Sequence, residues 1–138
     1  QQRAINKDTH PGLWDVSVAG HIGAGEDVTE SAIREVEEEI GLEITNEDLN
    51  KIGVFKYSHQ HHKDLLDCEF HHTFLCELKV PLSKLEMQKS EVADLAMIPL
   101  HRLIGELTNK ETAIKYVPYG QDYFKTVFKL IETKLQLL

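Results

Sequence analysis

Cysteine is scarce in this chain, long apolar runs are absent, and basic residues are outnumbered. Of 138 residues only two are cysteine, Cys68 and Cys76. They sit eight residues apart in one stretch that reads as a strand. At about 3.3 Å per residue they are too distant to pair with each other. Their spacing is not the C-x-x-C of a zinc or redox site, and a reduced, cytoplasmic setting is the simpler expectation. No apolar run approaches the roughly 20 residues of a membrane-spanning helix. The start of the chain, Gln1-Gln2-Arg3-Ala4, is polar and carries no secretory signal. Lysine and arginine number 15 against 23 acidic residues, a formal charge of −8. Phosphate neutralisation on a nucleic acid needs clustered basic side chains, so a nucleic-acid-binding surface is not expected. An acidic protein can still act on a phosphorylated substrate if a metal cation bridges the two. Internal repeats, low-complexity segments and a convincing domain linker are all missing.

What remains is the composition of one ordinary globular domain, 41% apolar and 28% charged. A chain of this length buries roughly two-thirds of its unfolded surface without disulfides or a structural metal. Alternation at Trp14, Val16 and Val18 predicts a short strand over 14–19, and a glycine-containing loop follows over 20–25. Asp27 suits a helix N-cap, with Glu30 three residues on, and Gly41 suits the C-terminal stop. Residues 51–57 and 69–80 read as strands separated by a polar, histidine-rich loop. In the second, Phe70, Phe74, Cys76, Leu78 and Val80 share one face, and Glu69, His71, Thr73 and Glu77 the other. A further strand is expected over 93–98. Pro99 should open a short helix to about Leu107, and apolar spacing at Tyr123, Val127, Leu130, Ile131 and Leu135 predicts a terminal helix over 119–137. Strands interleaved with helices imply an α/β or α+β sandwich.

The segment Glu35-Val36-Glu37-Glu38-Glu39 carries the chemistry. On a helix at about 100° per residue, Glu35, Glu38 and Glu39 fall within one arc, and Ala32, Ile33, Val36 and Ile40 occupy the neighbouring, core-facing arc. Like charges at i, i+4 repel by about 0.2–0.5 kcal/mol each. A hard divalent cation would turn that crowding to advantage, and carboxylate clusters suit Mg²⁺, or Mn²⁺. On the glutamate run alone, a solvated acidic face stands as the alternative.

The flanks decide between them. Gly20, five residues, Glu26, seven residues, then Arg34-Glu35-Val36-Glu37-Glu38-Glu39-Ile40-Gly41-Leu42 resembles the Nudix box, G-x5-E-x7-R-E-U-x-E-E-x-G-U with U aliphatic, at every defined position. The resemblance implies a Nudix-type α/β/α sandwich with a mixed β-sheet, occupying 1–138 as a single domain. It implies that Glu35, Glu38 and Glu39 bind Mg²⁺, that Arg34 orients Glu35 and Glu26, and that Gly20 lets loop backbone approach the metal. The implied activity is metal-dependent hydrolysis of a diphosphate bond. The water-activating base varies within the family; Glu35, Glu69 and Glu91 are candidates here, and ordinary surface glutamates are the competing reading of the last two.

The run Gln2-Arg3-Ala4-Ile5-Asn6-Lys7-Asp8-Thr9-His10-Pro11-Gly12-Leu13-Trp14-Asp15 also resembles the lead-in to the box in isopentenyl-diphosphate isomerase and related hydrolase-like proteins. That likeness implies that Arg3 and Lys7 meet a diphosphate, that His21 corresponds to a metal-ligand histidine, and that Asp67 and Glu69 correspond to an acidic pair. Arg3, Lys7, His21 and Glu69 are therefore the substrate-side candidates. The isomerase needs a cysteine just before the box, where this chain has Ala19, so isomerisation is the weaker expectation. A non-catalytic diphosphate-binding regulatory module is a third. Most of the eight histidines should be ordinary solvent-exposed or hydrogen-bonded residues, with His21 and His71 the candidates to face the site; Trp14 and the phenylalanines read as core. Tyr116, Tyr119 and Tyr123 either wall a pocket or simply pack. Nudix folds carry strand structure ahead of the Gln-Arg segment, so upstream strands are expected to lie outside the given chain. Substrate identity is expected to be read by loops over 58–67 and 108–120, and the terminal helix offers a surface for a homodimer.

Overall fold

The computed structural model describes residues 1–136. In chain order it comprises β1 (Gln2–Arg3), α1 (Val28–Ile40), β2 (Asn50–His62), β3 (Leu65–Leu75), β4 (Val92–Asp94), α2 (Leu100–Thr108), α3 (Lys110–Ala113) and α4 (Gln121–Gln136). This is an α+β fold, as expected. The contacts divide into two compact units. One joins Gln1–Asp48 to Leu78–Pro118; the other joins Leu49–Glu77 to the described residues from Tyr119 onward. No described helix is long and apolar enough to cross a membrane.

The first unit is built around a small mixed sheet. β1 pairs antiparallel with β4, Gln2 bridges Trp14 antiparallel, and Trp14 bridges Tyr116 in parallel. Ala4, Val92 and Val117 are buried in this unit together with Ile40 from α1. The strand expected over 14–19 shrinks to the single bridge at Trp14. Asp15 supplies the reason: its Oδ1 accepts the Val16 N–H at 2.7 Å, so a side chain takes a donor that a ladder would need.

Helix α1 forms as its termini predict. Asp27 accepts the N–H groups of Thr29 and Glu30, and Gly41 closes the helix in the left-handed region at φ 64°, donating to Glu37 O. The last two carbonyls of the helix are claimed by a loop, Glu86 N donating to Ile40 O and Gln88 N to Glu39 O, both at 2.9 Å. That loop then runs past Glu91, whose carbonyl accepts the Ala4 N–H at 3.0 Å. Backbone hydrogen bonds thus tie the 86–91 loop to the end of α1 and the start of the sheet.

The buried stripe of α1 differs from expectation. Ser31, Glu39 and Ile40 are the buried residues, whereas Ala32, Ile33 and Val36 are only half-buried. Ser31, Glu35 and Glu39 stand at i, i+4 spacing, so the acidic edge itself turns inward.

The second unit holds the β2–β3 hairpin and α4. The histidine-rich segment over 58–67 is not a loop. Both strands continue through it to a turn at Lys63 and Asp64, with Ser58 opposite Cys68 and His59 opposite Asp67. Polar residues tolerate the strand because the imidazoles find aromatic partners: Tyr57 stacks on His71 at 4.9 Å and on His59 at 6.2 Å. The inward face of β3 is consequently the odd one. Phe70, expected among the apolar face, is 70% exposed, and β3 ends at Leu75, before Cys76, Leu78 and Val80. Neither cysteine is in a disulfide. Tyr57, Tyr123 and Val127 form the buried centre, with Phe55 edge-on to Tyr123 and Tyr119 beside Tyr57. The strand expected over 93–98 is shorter, Val92–Asp94, and α2 begins directly after Pro99. Helix α4 starts after Gly120, two residues later than expected; Leu137 lies outside the described residues.

Candidate active site

Arg34 organises the acidic edge of α1. Its Nη1 lies 2.9 Å from Glu35 Oε1 and donates to Glu38 Oε2 at 3.0 Å. Its Nη2 donates to Glu26 Oε2 at 3.2 Å and to the His21 carbonyl at 3.3 Å. One planar guanidinium therefore gathers three carboxylates and pins the loop that precedes the helix. Glu26 accepts in addition from Gly23 N and Ser31 Oγ, both at 2.8 Å. The backbone N–H of Gly23, then Ser31 and Arg34, hold its carboxyl below the usual range.

The three glutamates of the box are not equivalent. Glu38 has a half-exposed side chain, Glu35 is at 16%, and Glu39 is buried. Glu39 Oε2 accepts from Gln1 Nε2 at 2.7 Å and, more weakly, from Ala19 N at 3.4 Å. Burial pushes the Glu39 carboxyl up to about 7; the two donors pull the other way, and the neighbouring charges of Glu35 and Glu91 add to the rise. Glu35, Glu39 and Glu91 therefore share one electrostatic neighbourhood. Glu91 is ion-paired with Lys7. Gly20 abuts the same group, since a β-carbon there would collide with the Glu35 carboxyl. Only glycine lets the loop backbone lie this close.

Carboxylate oxygens are the donor type a hard divalent cation prefers, and both donors to the most buried member, Gln1 and Ala19, are uncharged. The glycine cradle at Glu35 leaves loop backbone near the same oxygens.

The substrate-side candidates divide. Lys7 is at the site through Glu91. Arg3 has its guanidinium engaged with Thr9 O at 3.0 Å, Thr9 Oγ1 at 3.2 Å and Asp15 Oδ2 at 2.9 Å, and its side chain is 14% exposed. His21 is exposed on the loop that Arg34 holds by its carbonyl. Glu69 belongs to the second unit, on β3, where its Oε2 lies 2.8 Å from His71 Nε2. Asp67 pairs with His61 at 2.6 Å on the same strand face. Tyr116 hydrogen-bonds Glu106 at 2.6 Å, while Tyr119 and Tyr123 pack together at 4.9 Å between centroids. Gln1 was missed by sequence reasoning. No motif or periodicity marks a glutamine at that position; only the tertiary contact with Glu39 reveals it.

Comparison with known proteins agrees with the box. A family model described as NUDIX domain matches residues 1–119. Nudix hydrolase 3 of Arabidopsis thaliana is 34% identical over 142 aligned residues, covering 99% of this chain and 18% of its own length. An uncharacterized Nudix hydrolase of Clostridium acetobutylicum is 36% identical, covering 80% of this chain and 52% of its own. An isopentenyl-diphosphate Delta-isomerase of Kocuria rhizophila is 30% identical, covering 86% of this chain and 60% of its own. The chain thus spans between about a fifth and three-fifths of the length of these relatives.

Proposed function

The chain belongs to the Nudix family, and on that footing we propose that it hydrolyses a diphosphate linkage, in a nucleoside diphosphate joined to another moiety or a related small diphosphate compound, with Mg²⁺ as cofactor and Mn²⁺ as a substitute. The observation that carries this reading is the inward-turned edge of α1. Glu35 and Glu39 stand there in the electrostatic company of Glu91, with Gly20 backbone against Glu35. Burying like charges costs stability unless a cation joins them, so a merely solvated acidic face does not account for it.

Glu35, Glu38 and Glu39 would hold the metal, which when bound neutralises phosphate oxygens and makes a coordinated water acidic. Arg34 would draw Glu35 and Glu38 together, since both carboxylates lie against its Nη1. Glu91 is our choice of base for the attacking water, because its carboxylate lies in the field of Glu39 and reaches the site on a loop anchored at 86–91. Lys7, now on Glu91, would meet the negative diphosphate; its release would leave Glu91 to accept a proton. Arg3 would serve the same substrate mainly by shaping the loop with Thr9 and Asp15. His21 and Glu69 remain our further substrate-side assignments. A small-molecule substrate, a cytoplasmic setting and a homodimer complete the proposal.

The likeness to the isomerase favours one second reading, isomerisation of an isopentenyl-type diphosphate. Ala19 carries no thiol to move a proton at carbon, which weighs against it.

The test is phosphate or pyrophosphate release over a panel of diphosphate compounds with Mg²⁺, comparing wild type with Glu38→Gln. Metal-dependent turnover that falls by more than the roughly 10–100-fold typical of outer-shell changes supports hydrolysis and identifies the substrate class. Binding without turnover on any compound would sink it in favour of the isomerase-like or a regulatory, non-catalytic role.

A further inference from the structure

We infer that Gln1 is a positioning residue for the metal site, acting through Glu39. This rests on the hydrolase reading above and deepens it. Glu39 is the most buried of the three box carboxylates. Both hydrogen bonds it receives, from Gln1 Nε2 and from Ala19 N, converge on one oxygen, Oε2. Among the described residues no donor reaches Oε1. The tether is thus one-sided, with Oε2 alone held by protein.

The Gln1 contact is the stronger of the two tethers. At 2.7 Å it is short for N–H···O, whereas the Ala19 contact at 3.4 Å lies beyond the usual range. Gln1 is itself buried, so its amide is confined. Its place is set by backbone: Asp15 N donates to Gln1 O at 2.7 Å. A buried carboxylate on a long side chain otherwise samples several rotamers, and fixing it before the cation arrives removes an entropic cost from binding.

The choice of amide matters chemically. A lysine or arginine here would neutralise Glu39 and compete with the cation. A glutamate would add a like charge. A carboxamide orients Oε2 by hydrogen bonding and leaves the formal charge for the metal. Gln1 precedes the box by 19 residues and is not part of it.

The experiment measures Mn²⁺ affinity by electron paramagnetic resonance or calorimetry on the full-length protein, without substrate. Wild type, Gln1→Met, Glu39→Gln and the double variant complete a thermodynamic cycle. Gln1→Met, similar in size and without the donor, is expected to weaken Mn²⁺ binding about 10–100-fold, and the loss should vanish in the Glu39→Gln background. Wild-type-like affinity in Gln1→Met, or an equal loss in both backgrounds, overturns the proposal while leaving the hydrolase reading intact. Wild-type protein that binds no Mn²⁺ overturns both. Should Gln1→Met fail to fold, the side-chain amide of Gln1 in ¹⁵N-glutamine-labelled wild type provides the readout. Its resonance should shift on adding Mg²⁺ and broaden with Mn²⁺; an unmoved signal overturns the proposal.

Discussion

Gly20 illustrates how much one missing side chain does at this site. Its α-carbon stands so close to Glu35 that any β-carbon would displace the carboxyl group. Gly20→Ala should therefore cost activity through Glu35 rather than through folding. The expected outcome is a loss of about 10–100-fold in metal-supported turnover with a thermal midpoint close to wild type. An unchanged rate, on whichever diphosphate the panel identifies, would show that Glu35 does not serve the chemistry. The spacing of Gly20, Glu26 and Arg34-Glu35 in the chain already announced this group. Arg34 lies against Glu26 and Glu35, the two residues the motif resemblance paired it with, and against Glu38 as well. Sequence could not rank the three glutamates by burial, because that depends on what packs over the helix. The cover comes from Gln1, the Ala19 backbone and the 86–91 loop, each 20 or more residues from Glu39 in the chain.

At the scale of elements, α1 is the part most fully encoded locally. Asp27 and Gly41 act where their chemistry says they should. Asp27→Ala removes the acceptor for two otherwise unpaired N–H groups and should lower stability by about 1 kcal/mol. Urea denaturation would read this as a lower midpoint at unchanged slope, and an unshifted midpoint would show that the cap adds nothing. The hairpin was less legible. Its histidines and short polar residues suggested a loop over 58–67, yet the strands continue, since Tyr57 stacks on His59 along β2 and on His71 across the pairing. Cross-strand partners are non-local, so single-strand composition misjudges them. A local contact shortened the expected strand over 14–19, where the Asp15 side chain diverts the Val16 N–H.

For the molecule as a whole, stability at high pH should depend on Tyr116. Its backbone bridges Trp14 in the mixed sheet, and its hydroxyl donates to Glu106 of α2 at 2.6 Å. Burial, then the Glu106 hydrogen bond and charge, push the phenol up to about 12. The folded value exceeds the unfolded value of about 10. The contribution is therefore complete below pH 10 and is lost as pH rises from 10 through 12. Tyr116→Phe should flatten that part of the stability profile relative to wild type, and the absorbance step of a tyrosinate near pH 12 should disappear with it. Coincident profiles for the two proteins would refute the linkage. Sequence by itself determined the α+β class, the capped helix and the family, because each is written in local spacing along one or two elements. Tertiary structure alone decided which glutamate is buried, that Gln1 holds it, that Lys7 sits on Glu91, and that the histidine-rich segment is a hairpin. Those outcomes depend on desolvation and on partners tens of residues away, which local spacing does not record.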